Sequence, residues 1–440
     1  MSTHIKKAGI AAFIMISICL FFAAHARADE EHYNNIIIGE RAAGLGGAYT
    51  AISDDPSGLY YNPAGIVYAK GTNLSASMNA FYSSQKHYDS VLGGDGWDRR
   101  SSRLLPNFFG VIQQLPVGKF GFSYAVTDAV KENQDQAFYD VPCEATSIID
   151  PNRTAVIKRY QINLNNQDET YNFGPSYAVE ITPSLASGMT LYFHNRKIER
   201  IFNQLCILED GDGRYEWSNL NYELQEWGIR PVIGFMWSPK ESKYSLGLTF
   251  SHTLLFDSDI TCQHILRGLD YDANSIDLYQ NQLDIKRAYP YAVTFGAAYF
   301  KSHSLLLSGD ITYYTDTEEA TVYNTATGKT ELVFQKRRDI FNLSIGAEYY
   351  FTNSLALRFG SYTNMANTYR IENGKINQPE HVNMTGGGIS LSYFNRGVSL
   401  TLGTLYSYGT GKAQIQADSF DIQNVRMSSL TVYIGASYSL

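Results

Sequence analysis

The chain is a long succession of segments in which apolar residues alternate with small or polar ones. In the last of them, SSLTVYIGASYSL at residues 428–440, every second residue from Leu430 to Leu440 is apolar. Successive side chains of a β-strand point to opposite faces, so a period of two predicts strands with one apolar face. About fourteen such segments lie at residues 70–82, 104–115, 118–127, 170–181, 184–197, 225–237, 243–257, 287–300, 304–315, 339–351, 354–364, 382–394, 397–408 and 428–440.

The gaps between these segments fall alternately into two length classes. Gaps such as residues 115–118, 181–184 and 351–354 are very short, whereas the intervening gaps are long, polar and rich in Asp and Asn. This alternation is typical of an all-β, antiparallel up-and-down β-barrel that crosses the outer membrane with an even number of strands. The barrel must close, because an open sheet edge leaves backbone groups unpaired in hydrocarbon. A soluble β-sandwich or propeller is the alternative, but its turns need not sort by length.

The composition agrees with a barrel that faces lipid. The chain has 33 Tyr, 23 Phe and 36 Gly but 18% charged residues, whereas soluble proteins have about a quarter. Tyr and Phe near strand ends are typical of the two aromatic girdles of such barrels. The net charge of -8 argues against a nucleic-acid partner, which needs a basic surface. We therefore expect outer-membrane lipid, and no nucleic acid, as a partner.

The first 28 residues have the pattern of an export signal. Lys6 and Lys7 precede an apolar run from Ile10 to Phe22, and residues 26–28 (ARA) form a small-x-small cleavage site. This order predicts a signal peptide at residues 1–28, cleaved before Asp29. An uncleaved anchor is the alternative, but the apolar run is shorter than a spanning helix requires.

The stretch GERAAGLGGAYTAISDDPSGLYYNPAG at residues 39–65 is crowded with Gly and Ala. It lacks the Lys of a phosphate-binding loop, and Tyr49 stands where a dinucleotide turn needs its third glycine. The chain contains neither HExxH nor GxSxG, and its His and Cys residues have no metal-ligand spacing. These patterns predict a protein that is not an enzyme and that has no cofactor or metal.

Residues 29–68 resemble the N-terminal hatch of the FadL/TodX family of outer-membrane transporters for hydrophobic compounds. The resemblance is carried by Asn62-Pro63-Ala64, preceded by the small-residue run with Gly46 and Gly47 and by the pair Asp54-Asp55. It implies a hatch at residues 29–68 that blocks the pore and a barrel of fourteen strands at residues 69–440.

The resemblance also implies that an apolar solute leaves sideways through a kink in the third strand. In this chain the third segment has Gly118 and Gly121 but no proline, whereas Pro175 and Pro231 interrupt the fourth and sixth segments. Because proline removes a donor from the ladder, these departures leave the position of the exit open.

Two predicted long loops carry apolar residues, and three of those are spaced i, i+3 and i+7, as on one face of a helix. The loops either form a docking patch for the solute or pack on each other. The residues of the predicted patch are Ile201, Phe202, Leu205, Ile265, Leu266, Leu269, Ile276, Tyr279 and Leu283.

A few charged residues inside the strands fall on the face opposite the apolar one, which is the lumen face. They are Glu180, Arg230, Asp310, Glu348 and Arg358. The hairpin around residues 352–353 permits Glu348 and Arg358 to be direct cross-strand neighbours. Two roles are open for these charges: they hold an internal plug, or they line a path for the solute.

The hypothesis that follows is a monomeric outer-membrane protein for the passive, hatch-gated uptake of hydrophobic small molecules. Long-chain fatty acids and aromatic hydrocarbons are the expected substrate classes. One alternative is a barrel of the same shape that serves as a surface or secretion-associated scaffold without a transport role. Another is a general aqueous porin, which predicts a more highly charged lumen and no plug.

Overall fold

A computed structural model describes residues 31–146, 154–209, 215–267, 277–283, 287–324, 330–376, 378–415 and 420–439. The predicted signal peptide therefore lies outside the described residues. The strands are β1 Asn73–Leu92, β2 Asp95–Gln114, β3 Lys119–Thr146, β4 Thr154–Thr182, β5 Leu185–Leu208, β6 Tyr215–Trp237, β7 Tyr244–Ser251, β8 Leu254–Arg267, β9 Asp277–Leu283, β10 Ala292–Ser302, β11 Leu305–Tyr314, β12 Thr317–Asn324, β13 Thr330–Arg337, β14 Ile340–Thr352, β15 Leu355–Asn364, β16 His381–Asn395, β17 Val398–Ala413 and β18 Gln423–Ser439.

Fourteen of these strands form a closed antiparallel barrel. They are β1 to β7, β10, β11 and β14 to β18, and each pairs with the next one in this order. β5 pairs with β6, and β1 pairs with β18, so the sheet has no open edge at either of these joins. β8 and β9 form a hairpin that extends β7 and β10, and β12 and β13 form a second hairpin above β11 and β14. The predicted fold class is confirmed, and each of the fourteen predicted segments corresponds to one barrel strand.

The strands on one side of the barrel are much longer than the alternation predicted. β3 has 28 residues and β4 has 29, whereas about 9–11 residues are enough to cross a membrane. Much of the sequence that was predicted to form long loops therefore continues as paired strand. Inside these extensions Tyr88, Trp97, Phe138 and Tyr160 belong to one buried apolar cluster with residues from eight strands on both sides of the seam between β1 and β18.

The outer face of the barrel is a belt of large apolar side chains. Phe120, Phe122, Phe235, Leu246 and Phe250 are among the many that are exposed at alternate strand positions. An apolar surface of this extent marks contact with a membrane or with another protein. In the described part of the chain, no helix is long and apolar enough to cross a membrane.

The N-terminal segment, residues 31–68, lies inside the barrel. It contains the helices α1 (Glu40–Gly44) and α2 (Gly58–Tyr61) and a 3-10 helix (Pro63–Tyr68). Most of its residues are buried, and the segment contacts strands around the circumference, from β3 to β6 and from β15 to β18. It occupies the half of the barrel that ends in the short turns, because its contacts reach Phe235 beside the β6–β7 turn.

Candidate functional site

Asn62 attaches the N-terminal segment to the barrel wall. Its side-chain amide donates to the carbonyl of Thr50 at 2.8 Å and to the carbonyl of Phe235 in β6 at 3.1 Å. Its Oδ1 accepts from the backbone N–H of Ala64 at 3.1 Å and so caps the 3-10 helix. Pro63 at the first helical position costs no hydrogen bond, since that N–H has no partner within a helix. One fully buried side chain thus joins the fold of the segment to its contact with the wall.

The wall opposite the segment is built from glycine. A methyl group on Gly188 would lie 2.6 Å from the carbonyl carbon of Pro63, and one on Gly234 would overlap Asn62 Oδ1. Gly188 and Gly234 are direct register partners, as are Gly247 with Gly296 and Gly346 with Gly360. The glycine seat, as we name these wall positions, is Gly188, Gly234, Gly247, Gly296, Gly346, Gly360 and Gly435.

Gly46 shows why the segment also needs glycine on its own side. Its φ of 65° lies in the left-handed region, which favours glycine. A Cβ at this position would lie 2.8 Å from the backbone nitrogen of Ser361 in β15. Gly47, with a φ of 84°, completes the same turn. Backbone therefore packs directly on backbone where the segment meets β15.

A buried network of charges holds α1 against β14 and β15. Arg41 donates from Nη1 to Asp54 Oδ1 at 2.6 Å and from Nη2 to Glu348 Oε2 at 2.7 Å. Arg358 donates from Nε to the other oxygen of Glu348 at 2.7 Å and from Nη1 to Ser392. Glu348 and Arg358 are direct register partners. Two guanidinium groups therefore share one carboxylate.

Three further carboxyl groups lie at the boundary between segment and wall. Asp310 in β11 accepts the backbone N–H groups of Tyr49 and Thr50 at 2.9 and 2.8 Å. Asp55 accepts the backbone N–H of Ser57 at 2.8 Å and starts the turn into α2. The Glu40 carboxylate accepts from the hydroxyl of Ser75. Burial, and then the charge of Asp55, raise the pKa of Glu40 to about 7.

The ladder between β2 and β3 is interrupted beside the segment. These strands pair continuously from Phe108 with Ala125 to Gln114 with Lys119, and beyond that stretch at one position, Ser101 with Glu132. Residues 102–107 and 126–131, all of them described, share no register pair. Pro106 lies in this stretch of β2 and has no N–H to donate. Thr127 in β3 is bulged against β4. We call this unpaired stretch of wall the window.

The N-terminal segment closes the window from within. Ile36 and Ile38 are buried in one apolar cluster with Leu105, Ala125 and Ala129 from the two window strands. Hydrogen bonds hold this stretch of the segment at both sides. Asn35 donates from Nδ2 to Asp128 Oδ2 at 3.1 Å, and Asn107 donates to the carbonyl of Ile37 at 3.4 Å.

One ion pair crosses the window. Arg103 in β2 donates to Glu169 in β4, which also accepts from the hydroxyl of Tyr171. β3 lies between β2 and β4, so the side chain of Arg103 extends across β3. β3 is the strand with which β2 has no register pairs in the window. Both charged groups are mostly covered, with 17% and 11% of their side chains exposed.

A cavity of about 150 Å³ lies between the segment and the wall. Tyr33, Asn35 and Tyr60 of the segment line one side of it, and Arg230 and Tyr314 of the wall line another. Thr127 and Asp128, from the window edge of β3, also line it. The cavity therefore reaches the inner side of the window.

The predicted patch of apolar loop residues is corrected by the strand extensions. Ile201, Phe202 and Leu205 lie in β5, where Phe202 is 1% exposed and Ile201 is 39% exposed. Ile201 and Leu205 therefore share one face of the strand, and Phe202 lies on the opposite face. Their partners are the neighbouring strands β4 and β6, which satisfy the backbone.

The second half of the predicted patch is also strand. Ile265 and Leu266 lie in β8, and Tyr279 and Leu283 lie in β9, which pairs antiparallel with β8. The helical face predicted from the spacing of Ile276, Tyr279 and Leu283 is wrong. Pairing with β8 satisfies the backbone of β9 at positions 277–283 instead. Leu269 and Ile276 lie outside the described residues.

The structure places the five predicted lumen charges in three environments. Glu348, Arg358 and Asp310 contact the N-terminal segment or its ion-pair network. Arg230 lines the cavity. Glu180 is exposed, two residues from the end of β4 at the short-turn rim. Arg41, Arg103 and the glycine seat were not recognisable in the sequence, because each is defined by a contact between segments that lie far apart in the chain.

The chain is similar in structure to several solved barrels. A Pseudomonas aeruginosa FadL homologue superposes with a TM-score of 0.59 at 12% identity, covering 93% of this chain and 99% of that one. The TodX monoaromatic hydrocarbon channel, as a deltaS2 mutant, gives 0.62 at 13%, with 92% and 99% covered. The Ralstonia pickettii toluene transporter TbuX gives 0.58 at 14%, with 92% and 98% covered.

No protein-family model matches the sequence, and no curated protein matches it. At identities of 12–14%, what is shared with the solved barrels is the fold. The chain thus has the fold of the FadL and TodX channels along more than nine-tenths of its length.

Proposed function

We propose that the protein is an outer-membrane channel for the passive uptake of hydrophobic small molecules. The observation that carries this proposal is the window between β2 and β3, closed from the lumen side by Ile36 and Ile38. A wall that has lost its ladder at one place, with an apolar seal behind it, is suited to lateral release of an apolar solute into lipid. In this proposal the N-terminal segment is the hatch.

Two further observations support this function. The exposed apolar belt on the outer face is the surface that a barrel in hydrocarbon requires. The solved barrels of the same fold include a toluene transporter and a monoaromatic hydrocarbon channel. The export signal at residues 1–28 directs the chain to the cell envelope, with cleavage before Asp29. The barrel closes within one chain, so the proposed unit is a monomer.

The proposed path enters through the long hairpins, passes the cavity and leaves through the window. Residues 35–38 separate the cavity from the window, since Asn35 lines the cavity and Ile36 and Ile38 fill the window. Movement of this short stretch therefore suffices to connect them. The larger part of the segment, held by the Glu348 network and the glycine seat, stays in place during such a movement.

The test is uptake of radiolabelled toluene and oleate by cells that carry the intact protein, a chain without residues 42–64, or an empty vector. We expect the intact protein to raise uptake of at least one solute above the empty vector. Deletion of residues 42–64 removes α2 and the last three residues of α1, which lie behind the seal. This deletion should change the rate and the selectivity of permeation.

Ile38→Ala tests the seal itself, because it shortens a fully buried side chain of the window cluster. Ile311→Ala makes the same chemical change at a position that is 48% exposed on the outer face. We expect faster uptake with Ile38→Ala and no change with Ile311→Ala. If neither the intact chain nor the deletion raises uptake above the empty vector, transport of these solutes is refuted and the scaffold hypothesis is favoured.

A further inference from the structure

The cavity beside the hatch contains a guanidinium group without a counter-ion. Arg230 lines it from β6 and lies over the ring of Tyr60, with 5.2 Å between its Cζ and the ring centroid. Of its five N–H donors, one reaches a described acceptor, the hydroxyl of Tyr60 at 3.5 Å. Among the described residues, no carboxylate oxygen lies within 4.0 Å of Arg230.

The other charges around the cavity are arranged differently. Arg196 makes a two-point contact with Asp168, at 2.9 and 2.6 Å. Arg287 lies 3.8 Å from Glu226. These two guanidinium groups therefore have carboxylates beside them in the protein.

Two further charged groups line the cavity. Arg337 donates to the side-chain oxygen of Asn367 at 3.3 Å. Asp128, on the β3 side of the cavity, accepts from Asn35. Arg337 carries the same positive charge as Arg230, and Asp128 forms no described ion pair with Arg230. Among the described residues, therefore, no carboxylate neutralises the charge of Arg230 in the cavity.

A guanidinium group held away from water is costly unless an anion accompanies it. A carboxylate is the anion whose two oxygens match the fork of the guanidinium group. The contact with the ring of Tyr60 compensates in part, since cation–π contacts are weaker than a desolvated ion pair. A solute that brings its own carboxylate would complete the site.

The size of the cavity limits the rest of the solute. Its volume is about 150 Å³, and an apolar cavity of about 150 Å³ in another protein holds one benzene molecule. The rings of Tyr60 and Tyr314 line it beside Arg230, and aromatic pairs favour stacked or edge-to-face contacts. This space accommodates one aromatic ring beside Arg230.

We propose that the cavity binds a small organic monocarboxylate with a single aromatic ring, its carboxylate on Arg230 and its ring against Tyr60 and Tyr314. This inference rests on the proposed uptake function and names its substrate class. It separates the solute of this protein from a neutral hydrocarbon, which brings no anion to Arg230, and from an aliphatic acid, which has no ring to place against Tyr60 and Tyr314.

The experiment is isothermal titration of the purified full-length protein, in nonionic detergent, with benzoate and with benzamide, its neutral counterpart of nearly equal size. We expect benzoate to bind at least ten-fold more tightly than benzamide to the unchanged protein. Arg230→Gln should abolish this preference, whereas Arg230→Lys, which keeps the charge, should retain most of it. Arg426→Gln is the matched control, because Arg426 is exposed on β18 and does not line the cavity.

Equal affinities for benzoate and benzamide, or binding of neither, would overturn the inference. A benzoate preference that survives in Arg230→Gln would overturn it as well. Heat-modifiable migration of each variant on a gel shows that its barrel is folded. If Arg230→Gln does not fold, the comparison of benzoate with benzamide on the unchanged protein still decides the test, since equal affinities overturn the inference. Because binding is measured without transport, loss of the benzoate preference alongside normal toluene uptake refutes this inference alone. Benzoate binding without any uptake in cells refutes the proposed transport function alone.

Discussion

At the scale of single residues, Glu348 is the group on which the attachment of α1 to the wall depends. Its carboxylate lies between the guanidinium groups of Arg41 and Arg358, and its side chain is 1% exposed. Removing one partner of a buried ion pair leaves the other charge uncompensated and costs about 3–5 kcal/mol. We therefore expect Glu348→Gln to lower the free energy of unfolding by about that amount, measured by urea titration of heat-modifiable migration.

Glu372→Gln is the control for this substitution, because Glu372 pairs with Lys375 on the surface, with both side chains more than 60% exposed. The same chemical change there should alter stability by less than about 0.5 kcal/mol. Equal losses in the two variants would show that the buried network contributes nothing specific.

The glycine seat gives a second prediction at this scale. A methyl group on Gly234 would overlap Asn62 Oδ1, so Gly234→Ala should displace the 3-10 helix at a cost of about 1–3 kcal/mol. Limited proteolysis of residues 31–68 measures the displacement. Gly309→Ala, in β11, should leave proteolysis unchanged, because its new methyl group would meet no atom closer than 3.6 Å.

Glu40 gives the prediction for pH. Its pKa is raised to about 7 by burial and by Asp55, while Arg358 and the hydroxyl of Ser75 lower it. Between pH 4.5 and 7, Glu40 is protonated in the docked segment but ionised in the released segment. Docking therefore weakens as the pH rises through this range. Limited proteolysis of residues 31–68 should therefore be faster at pH 8 than at pH 5.5.

Glu40→Gln should remove this dependence on pH, because the amide keeps its hydrogen bond to Ser75 and does not ionise. A Glu40→Gln variant whose proteolysis still becomes faster as the pH rises would assign the effect to another group, such as Asp55, whose pKa is also raised by burial.

For the contact between Asn62 and the wall, the sequence indicated the residue of the N-terminal segment but not its partners in the barrel. Asn62-Pro63-Ala64 was recognisable from its motif, but Gly188 and Gly234, on which it lies, are single glycines in strands 46 positions apart. Which of the 36 glycines face the segment depends on the register of the whole barrel. That register is set by pairing between strands and is absent from any local pattern.

At the scale of elements, the ion pair between Arg103 and Glu169 ties β2 to β4 across the window. Its loss should make the window open more easily. We expect Arg103→Gln to raise toluene uptake roughly two- to five-fold, the equivalent of up to about 1 kcal/mol. The exchanged pair Arg103→Glu with Glu169→Arg should restore the original rate, and the exposed Arg426→Gln should not alter it.

The number of strands was predictable from the sequence, but their lengths and the position of the window were not. Residues 160–164 alternate as strictly as the membrane segments, with Tyr160, Ile162 and Leu164 buried. Their polar partners on the outer face make the stretch look like a loop. The third predicted strand contains no proline that would mark an interruption of its ladder. The proline beside the window, Pro106, lies in the second strand.

At the scale of the whole molecule, the barrel and the N-terminal segment are held by different interactions. The ladders of the fourteen strands close without any strand from the segment. We therefore expect a chain without residues 42–64 to fold into a barrel and to keep the heat-modifiable migration of the intact protein. A deleted chain that migrates identically with and without boiling would show instead that the segment is required for the barrel to form.

The position of residues 33–38 gives the molecule a thermodynamic property. Tyr33 and Asn35 line the cavity, and Ile36 and Ile38 fill the window. Binding of a solute in the cavity and opening of the window therefore act on the same few residues. Their free energies are then coupled, and the coupling is reciprocal. A solute whose binding favours the open wall is bound more tightly, by the same factor, when the wall is open. In the proposed channel, binding of the solute in the cavity would therefore favour release of the seal at the window.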